Sequence, residues 1–77
     1  MSQKLPRITS AELVRALKRA GWQEVRQTGS HLHLGHPDRP GQILTVAMHP
    51  GRVVPIGTLR AILSRAGLSA DELRQLL

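Results

Sequence analysis

The stretch TGSHLHL, residues 28–34, decides the fold of this chain because it carries a turn and a strand in succession. The Thr28-Gly29 pair favours a turn out of a loosely alternating segment that begins at Trp22. Histidine and leucine then alternate strictly, so the leucines face the core and the histidines share the opposite face. The stretch therefore predicts an antiparallel hairpin whose second strand starts with an exposed imidazole, that of His31.

A helix is predicted on the N-terminal side of this hairpin. Thr9 and Glu12 form a capping box, in which each side chain accepts a hydrogen bond from the other residue's backbone amide. The apolar residues that follow recur at helical spacing and define one face: Leu13, Val14, Leu17 and Ala20. We therefore expect a first helix over roughly Ser10–Ala20, ended by Gly21.

A loop and a third strand are predicted on the C-terminal side. Residues 35–41 hold two prolines and two glycines, a composition that predicts a loop. The alternation that follows predicts a strand over Ile43–Met48, with one face buried: Leu44, Val46 and Met48. His49, Pro50 and Gly51 are expected to break this strand.

Two further helices complete the pattern. Thr58 is placed to cap the first of them, which Gly67 ends. The N-terminal amides of that helix are either a site for an anion or simply well capped. Ser69 and Glu72 form a second capping box before a short terminal helix. The predicted buried faces of the two helices are Leu59, Ile62, Leu63 and Ala66, and then Leu73, Leu76 and Leu77.

These elements predict an α+β fold in which residues 1–77 form one domain. The order is α-β-β-β-α plus a short C-terminal helix, and a three-stranded antiparallel sheet buries one face under the helices. A chain of 77 residues allows one modest core and no separate cofactor domain. No small-molecule cofactor is therefore expected.

Charge and composition indicate a polyanionic partner. The chain has 11 lysines and arginines against 5 acidic residues, and a net charge of +6. Most of these cations are arginines, whose planar guanidinium suits phosphate; alternatively, the excess only maintains solubility. The candidate phosphate contacts are concentrated in the first third: Lys4, Arg7, Arg15, Lys18, Arg19 and Arg26. Without cysteine, a signal peptide or a long apolar run, the chain is expected to be cytoplasmic and not membrane-bound.

His31 is the candidate catalytic residue. Cleavage of RNA without a metal needs a base for the 2′-hydroxyl proton, an acid for the leaving oxygen and cations near the phosphate. An unperturbed imidazole, with a pKa of about 6.5, suits both proton transfers. Gly29 allows close approach of a phosphate and Ser30 offers a hydroxyl, although a surface histidine after a turn is the plainer interpretation.

The other three histidines leave two alternatives open. His33, His36 or His49 could supply a second acid–base group, or together they could bind a metal. Their spacing matches no standard zinc pattern, and only Asp38 adds a nearby carboxylate, so no metal is predicted.

Several blocks of the chain, taken together, resemble the HicA family of bacterial toxins. They follow in family order and span nearly the whole chain: residues 12–17, 20–22, 26–31, 36–38, 45–49, 57–63 and 66–69. One departure is Ala47, where the family often has proline. His49 matches a recurrent family histidine whose role we leave unassigned.

The resemblance implies a fold similar to double-stranded-RNA-binding domains and a function as an mRNA interferase. In that family the histidine of the Gly-Ser-His motif is catalytic, which corresponds to His31, with Gly29 and Ser30 as supporting residues. The implied partners are mRNA and a HicB-like antitoxin that covers the active surface in the bacterial cytoplasm. Two rival hypotheses remain: a non-catalytic RNA-binding module of the same fold, and an interaction protein whose histidines bind metal.

Overall fold

The alternation and capping patterns produce the predicted order of elements. A computed structural model describes residues 4–77 of the chain. The elements are α1 (Ser10–Arg19), β1 (Gln23–Thr28), β2 (His31–His36), β3 (Arg39–Ala47), α2 (Ile56–Ala66) and α3 (Ala70–Leu76). The antiparallel sheet has the order β1-β2-β3, so β2 is central and the other two strands are edges. The α+β fold is confirmed.

The hairpin of β1 and β2 closes through a two-residue turn at Gly29 and Ser30. Thr28 pairs directly with His31, and Gly29 has a φ of 59°. A glycine with positive φ at the first of two turn positions fits the twist of the flanking strands. The turn therefore fixes His31 as the first residue of β2, as the alternation predicts.

The second hairpin corrects the prediction of a loop over residues 35–41. The turn contains only Pro37 and Asp38, and the flanking residues belong to strands β2 and β3. Pro40 is tolerated because β3 is an edge strand, where a missing amide hydrogen costs no ladder partner on its outer side. Gly35 lies in the central strand, where its missing side chain leaves room for neighbours on both edge strands.

One face of the sheet forms the core with the helices. Leu32 and Leu34 of β2 and Leu44 and Val46 of β3 are buried against the apolar faces of α1 and α2. In α3, Leu73 is buried and Leu76 partly buried, but Leu77 is 45% exposed, so its predicted burial is wrong. Leu77 lies beyond the last residue of α3, where the chain no longer follows the helical stripe.

The helix starts confirm both capping boxes and correct one cap. Thr9 with Glu12 and Ser69 with Glu72 make the reciprocal hydrogen bonds of the box. Helix α2 instead begins at Ile56 after Pro55 and has no side-chain cap. Thr58 therefore lies inside the first turn of α2. Pro55 also favours the start of a helix, because its nitrogen carries no hydrogen that would need a partner there.

Three connections meet at the end of the sheet where β2 begins. The amide of Met48 donates to the carbonyl of Ser30 at 2.6 Å, which ties the end of β3 to the β1–β2 turn. The amide of His49 donates to Ser10 Oγ at 3.3 Å, at the start of α1. Val54 then pairs with Ile8 through a 2.8 Å hydrogen bond. The β3–α2 loop is thereby held beside the turn that precedes β2.

Within residues 4–77, no helix has the length and apolar character that crossing a bilayer requires.

Candidate active site

His31 lies on the open face of the sheet, opposite the helices. Its Cα is paired with that of Thr28 on β1 and that of Ala47 on β3, and its side chain is exposed. Among the described residues, none makes a hydrogen bond or ring contact with the imidazole, and the exposed side chain can contact a ligand. Gly29 and Ser30 hold the turn in place, since Ser30 accepts the Met48 amide.

His33 shares the open face two residues further along β2. Its Nδ1 lies 3.0 Å from Thr45 Oγ1 on β3, and on the other side it is paired with Arg26 of β1. The hydroxyl orients this ring across the sheet, while the half-buried side chain still borders the open face. The open face therefore presents two imidazoles and a guanidinium in neighbouring positions.

His36 occupies a different environment, at the far end of β2. Its Nε2 lies 3.0 Å from the carbonyl oxygen of Ala20, and its Nδ1 accepts from the amide of Asp38 at 3.1 Å. The ring packs edge-on against Trp22, with centroids 5.2 Å apart. A carbonyl on one nitrogen and an amide on the other select the neutral tautomer protonated at Nε2. His36 therefore links the end of α1 to the second hairpin and is about 16 Å along the strand from His31.

His49 lies near the His31 end of the sheet. It follows Ala47, the partner of His31, by two residues, and its side chain is exposed. Of the three other histidines, His33 shares the open face with His31, and His49 lies near the same end of the sheet as His31. His36 lies at the far end of β2. Within residues 4–77, no group of three or more histidine or acidic side chains is placed to hold a metal ion.

The predicted phosphate contacts lie on several parts of the structure. Arg26 lies on the open face, and Arg15 is exposed on α1. Lys18 forms an ion pair with Glu24, and Arg19 donates to the carbonyl of Leu76 at 2.6 Å. The remaining two candidates, Lys4 and Arg7, precede α1 and are exposed.

An apolar patch on the open face was not predicted. Val25 is 60% exposed and Ile43 39% exposed, and they flank Gly35, whose added Cβ would meet Val25 Cγ2 at 3.2 Å and Ile43 Cδ1 at 3.7 Å. A register shift between Glu24 and Arg26 leaves Val25 unpaired with β2. Alternation alone could not place Val25 there, because a bulge changes the face that a residue occupies.

Comparison with known proteins identifies the family. The family model described as "HicA toxin of bacterial toxin-antitoxin" matches residues 10–68, which include every element from α1 to α2. Among curated proteins, none matches the chain.

Proposed function

The chain belongs to the HicA family of toxins from bacterial toxin–antitoxin systems, and on that premise we propose that it is an endoribonuclease that cleaves mRNA through His31. The observation that carries the proposal is the imidazole of His31, which is exposed at the start of the central strand and has no hydrogen-bond partner among residues 4–77. Cleavage of mRNA would inhibit translation and growth. The reaction needs no metal if imidazole and guanidinium groups supply the proton transfers and the charge.

His31 is proposed to exchange a proton with the reacting ribose and phosphate. As a base, the neutral ring takes the proton of the 2′-hydroxyl, whose oxygen bonds to the adjacent phosphorus as the bond to the 5′-oxygen breaks. The products are a 2′,3′-cyclic phosphate and a 5′-hydroxyl, which takes its proton from water. Arg26 lies on the same face, on the strand next to β2. Its guanidinium would stabilise the charge that develops on the phosphate oxygens.

The wider set of predicted cations is proposed to hold the RNA backbone without reading its sequence. Arg7, Arg15 and Arg26 are exposed. Lys18 and Arg19 are engaged with protein oxygens, so their contact with RNA would require an exchange of partners. Lys4 belongs to the same proposed set.

A toxin of this family has an antitoxin partner, and we propose that a HicB-like protein covers the open face. Val25 and Ile43 give that face exposed apolar area beside His33. Apolar side chains with an adjacent arginine are typical of the centre of a protein interface. Binding there would exclude RNA from His31.

The His31→Ala variant tests the catalytic role. We expect the rate of cleavage of a defined transcript to fall about 10²–10⁴-fold, because an acid–base residue contributes that much. RNA binding, measured separately, should be retained, and expression should no longer arrest growth. Parent activity should also persist in EDTA.

Two results would contradict the proposal. If His31→Ala cleaves RNA like the parent, His31 is not catalytic. If the parent binds RNA but never cleaves it, the chain is a binding module of the same fold.

A further inference from the structure

A groove runs along the outer edge of β3, between that strand and α2. It consists of two adjoining cavities of about 410 and 350 Å³, which share Thr58 and Ile62 of α2. The cavities also border β3, one at Ala47 and the other at Thr45. We call the two neighbouring cavities together the β3–α2 groove.

Both residues of fixed charge that line the groove are arginines. Arg52 lines the larger cavity together with His49, and Arg65 lines the smaller one. Among residues 4–77, no aspartate or glutamate lines either cavity. Since arginines without a carboxylate counterpart attract anions, the groove suits a ligand that carries negative charge along its length.

At Gly57 the groove wall has no side chain, so a ligand can approach the backbone of α2 closely. Gly57 lies in the first turn of α2 and lines the smaller cavity, and an added Cβ would meet no atom within 4 Å. Its φ is not positive, so neither backbone conformation nor packing requires glycine at this position. A ligand that approaches the helix backbone would account for the missing side chain.

The groove ends next to His31. Ala47 lines the larger cavity and is the β3 partner of His31. Neighbouring strands are about 4.8 Å apart, so a strand that leaves the groove across Ala47 reaches His31 within roughly one nucleotide.

We infer that the β3–α2 groove holds a single strand of RNA and delivers it across Ala47 to His31. The inference deepens the proposed nuclease function and rests on it. Arg52 and Arg65 contact phosphates, and the apolar wall, including Ile62, contacts ribose and base surfaces. No sequence readout is required of such contacts.

The test measures RNA affinity in a background that cannot cleave. A fluorescent single-stranded RNA is titrated with His31→Ala protein, and with the same protein carrying Arg52→Gln or Arg65→Gln, at several salt concentrations. Each groove variant should weaken binding about fivefold, and the slope of affinity against salt should fall by about 0.7 for each phosphate that the variant no longer neutralises.

Arg60→Gln is the matched control. Arg60 lies on the same helix and is exposed, but it lines a different cavity with Leu5 and Leu63. The His31→Ala protein that also carries Arg60→Gln should bind RNA with the same affinity as His31→Ala alone. If Arg60→Gln weakens binding as much as the groove variants do, or if the groove variants bind normally, the inference is wrong. Neither result depends on cleavage, so the nuclease proposal is judged separately.

Gly57→Ala adds a test in which stability and binding should change in opposite directions. The methyl group has free space and alanine favours helix, so thermal stability should be equal or higher. RNA affinity should nevertheless fall several-fold. If Gly57→Ala and Arg65→Gln retain RNA binding but lose binding to the antitoxin, the groove belongs to a protein partner and the inference is overturned.

Discussion

The two ends of strand β2 carry the same side chain in opposite environments. At one end, His31 is exposed and, among the described residues, makes no hydrogen bond. At the other, His36 has a partner on each ring nitrogen and an aromatic ring against its edge. The comparison teaches that the residue type does not decide the role, since a ring with both nitrogens satisfied is structural and a ring with neither satisfied is available for chemistry.

A pair of glycine substitutions should give the largest stability difference between the two ends. Gly21 has a φ of 101°, and an added Cβ would lie 2.5 Å from His36 Nε2, a ring that its hydrogen bonds hold in place. Gly21→Ala should lower the free energy of unfolding by about 3 kcal/mol, from backbone strain and overpacking. Urea unfolding followed by circular dichroism measures this.

The matched substitution at the other end is Gly29→Ala. Gly29 has a φ of 59°, and an added Cβ would meet nothing within 4 Å. Only the left-handed backbone is penalised, so the free energy of unfolding should fall by about 1 kcal/mol. Equal decreases at the two glycines would show that His36 is not held rigidly, and the contrast between the two ends would fail.

Replacing each histidine should separate stability from activity. His36→Ala removes hydrogen bonds to Ala20 and Asp38 and the packing against Trp22, so it should destabilise the fold by about 2 kcal/mol. Cleavage per folded molecule should be unchanged. His31→Ala should leave the free energy of unfolding within about 0.5 kcal/mol of the parent, as exposed substitutions do. A large decrease in stability from His31→Ala would indicate a structural role.

The fold was largely predictable because its strongest signals are local. Strict alternation over residues 31–34 and the two capping boxes depend only on neighbours in sequence. The extent of the second hairpin was not predictable, because Pro40 and Gly41 lie on an edge strand where tertiary pairing overrides their preference for loops. The start of α2 was misplaced since Pro55 and Thr58 offer competing signals three residues apart.

The candidate site was predictable only where it lies on one strand. His31 and His33 follow from alternation, which also puts them on one face. The fixed position of His36 depends on its hydrogen bond to the carbonyl of Ala20, and the apolar patch depends on the bulge at Val25 in the pairing of β1 with β2. Neither contact leaves a signal in the local sequence pattern. The β3–α2 groove likewise arises from how two elements pack rather than from either sequence alone.

The smallest expected effect is a pH dependence that acts on the His31 end through α1. The carboxylate of Glu12 accepts a hydrogen bond from the Thr9 amide at 2.9 Å. Its hydrogen bonds with the backbone and side chain of Thr9 hold the pKa of the carboxyl below its ordinary value of 4.5. Because the folded pKa is the lower one, the box stabilises the fold above about pH 4.5, and that contribution is lost as pH falls through the folded pKa. Ser10 follows directly in α1 and binds the His49 amide, so weakening the cap should loosen the β3–α2 loop.

Urea midpoints measured between neutral pH and about pH 3 should therefore decline for the parent and decline less for Glu12→Gln, which has no carboxyl to protonate. Glu72, whose pKa is lowered in the same way by Ser69, is the internal comparison. Glu72→Gln should reduce the decline of the urea midpoint with falling pH to a similar degree. However, Glu72 caps α3 rather than α1, so it should leave hydrogen exchange at the His49 amide unchanged. If Glu12→Gln retains the full acid decline, or if both variants alter exchange at His49 equally, the cap of α1 does not support the His31 end.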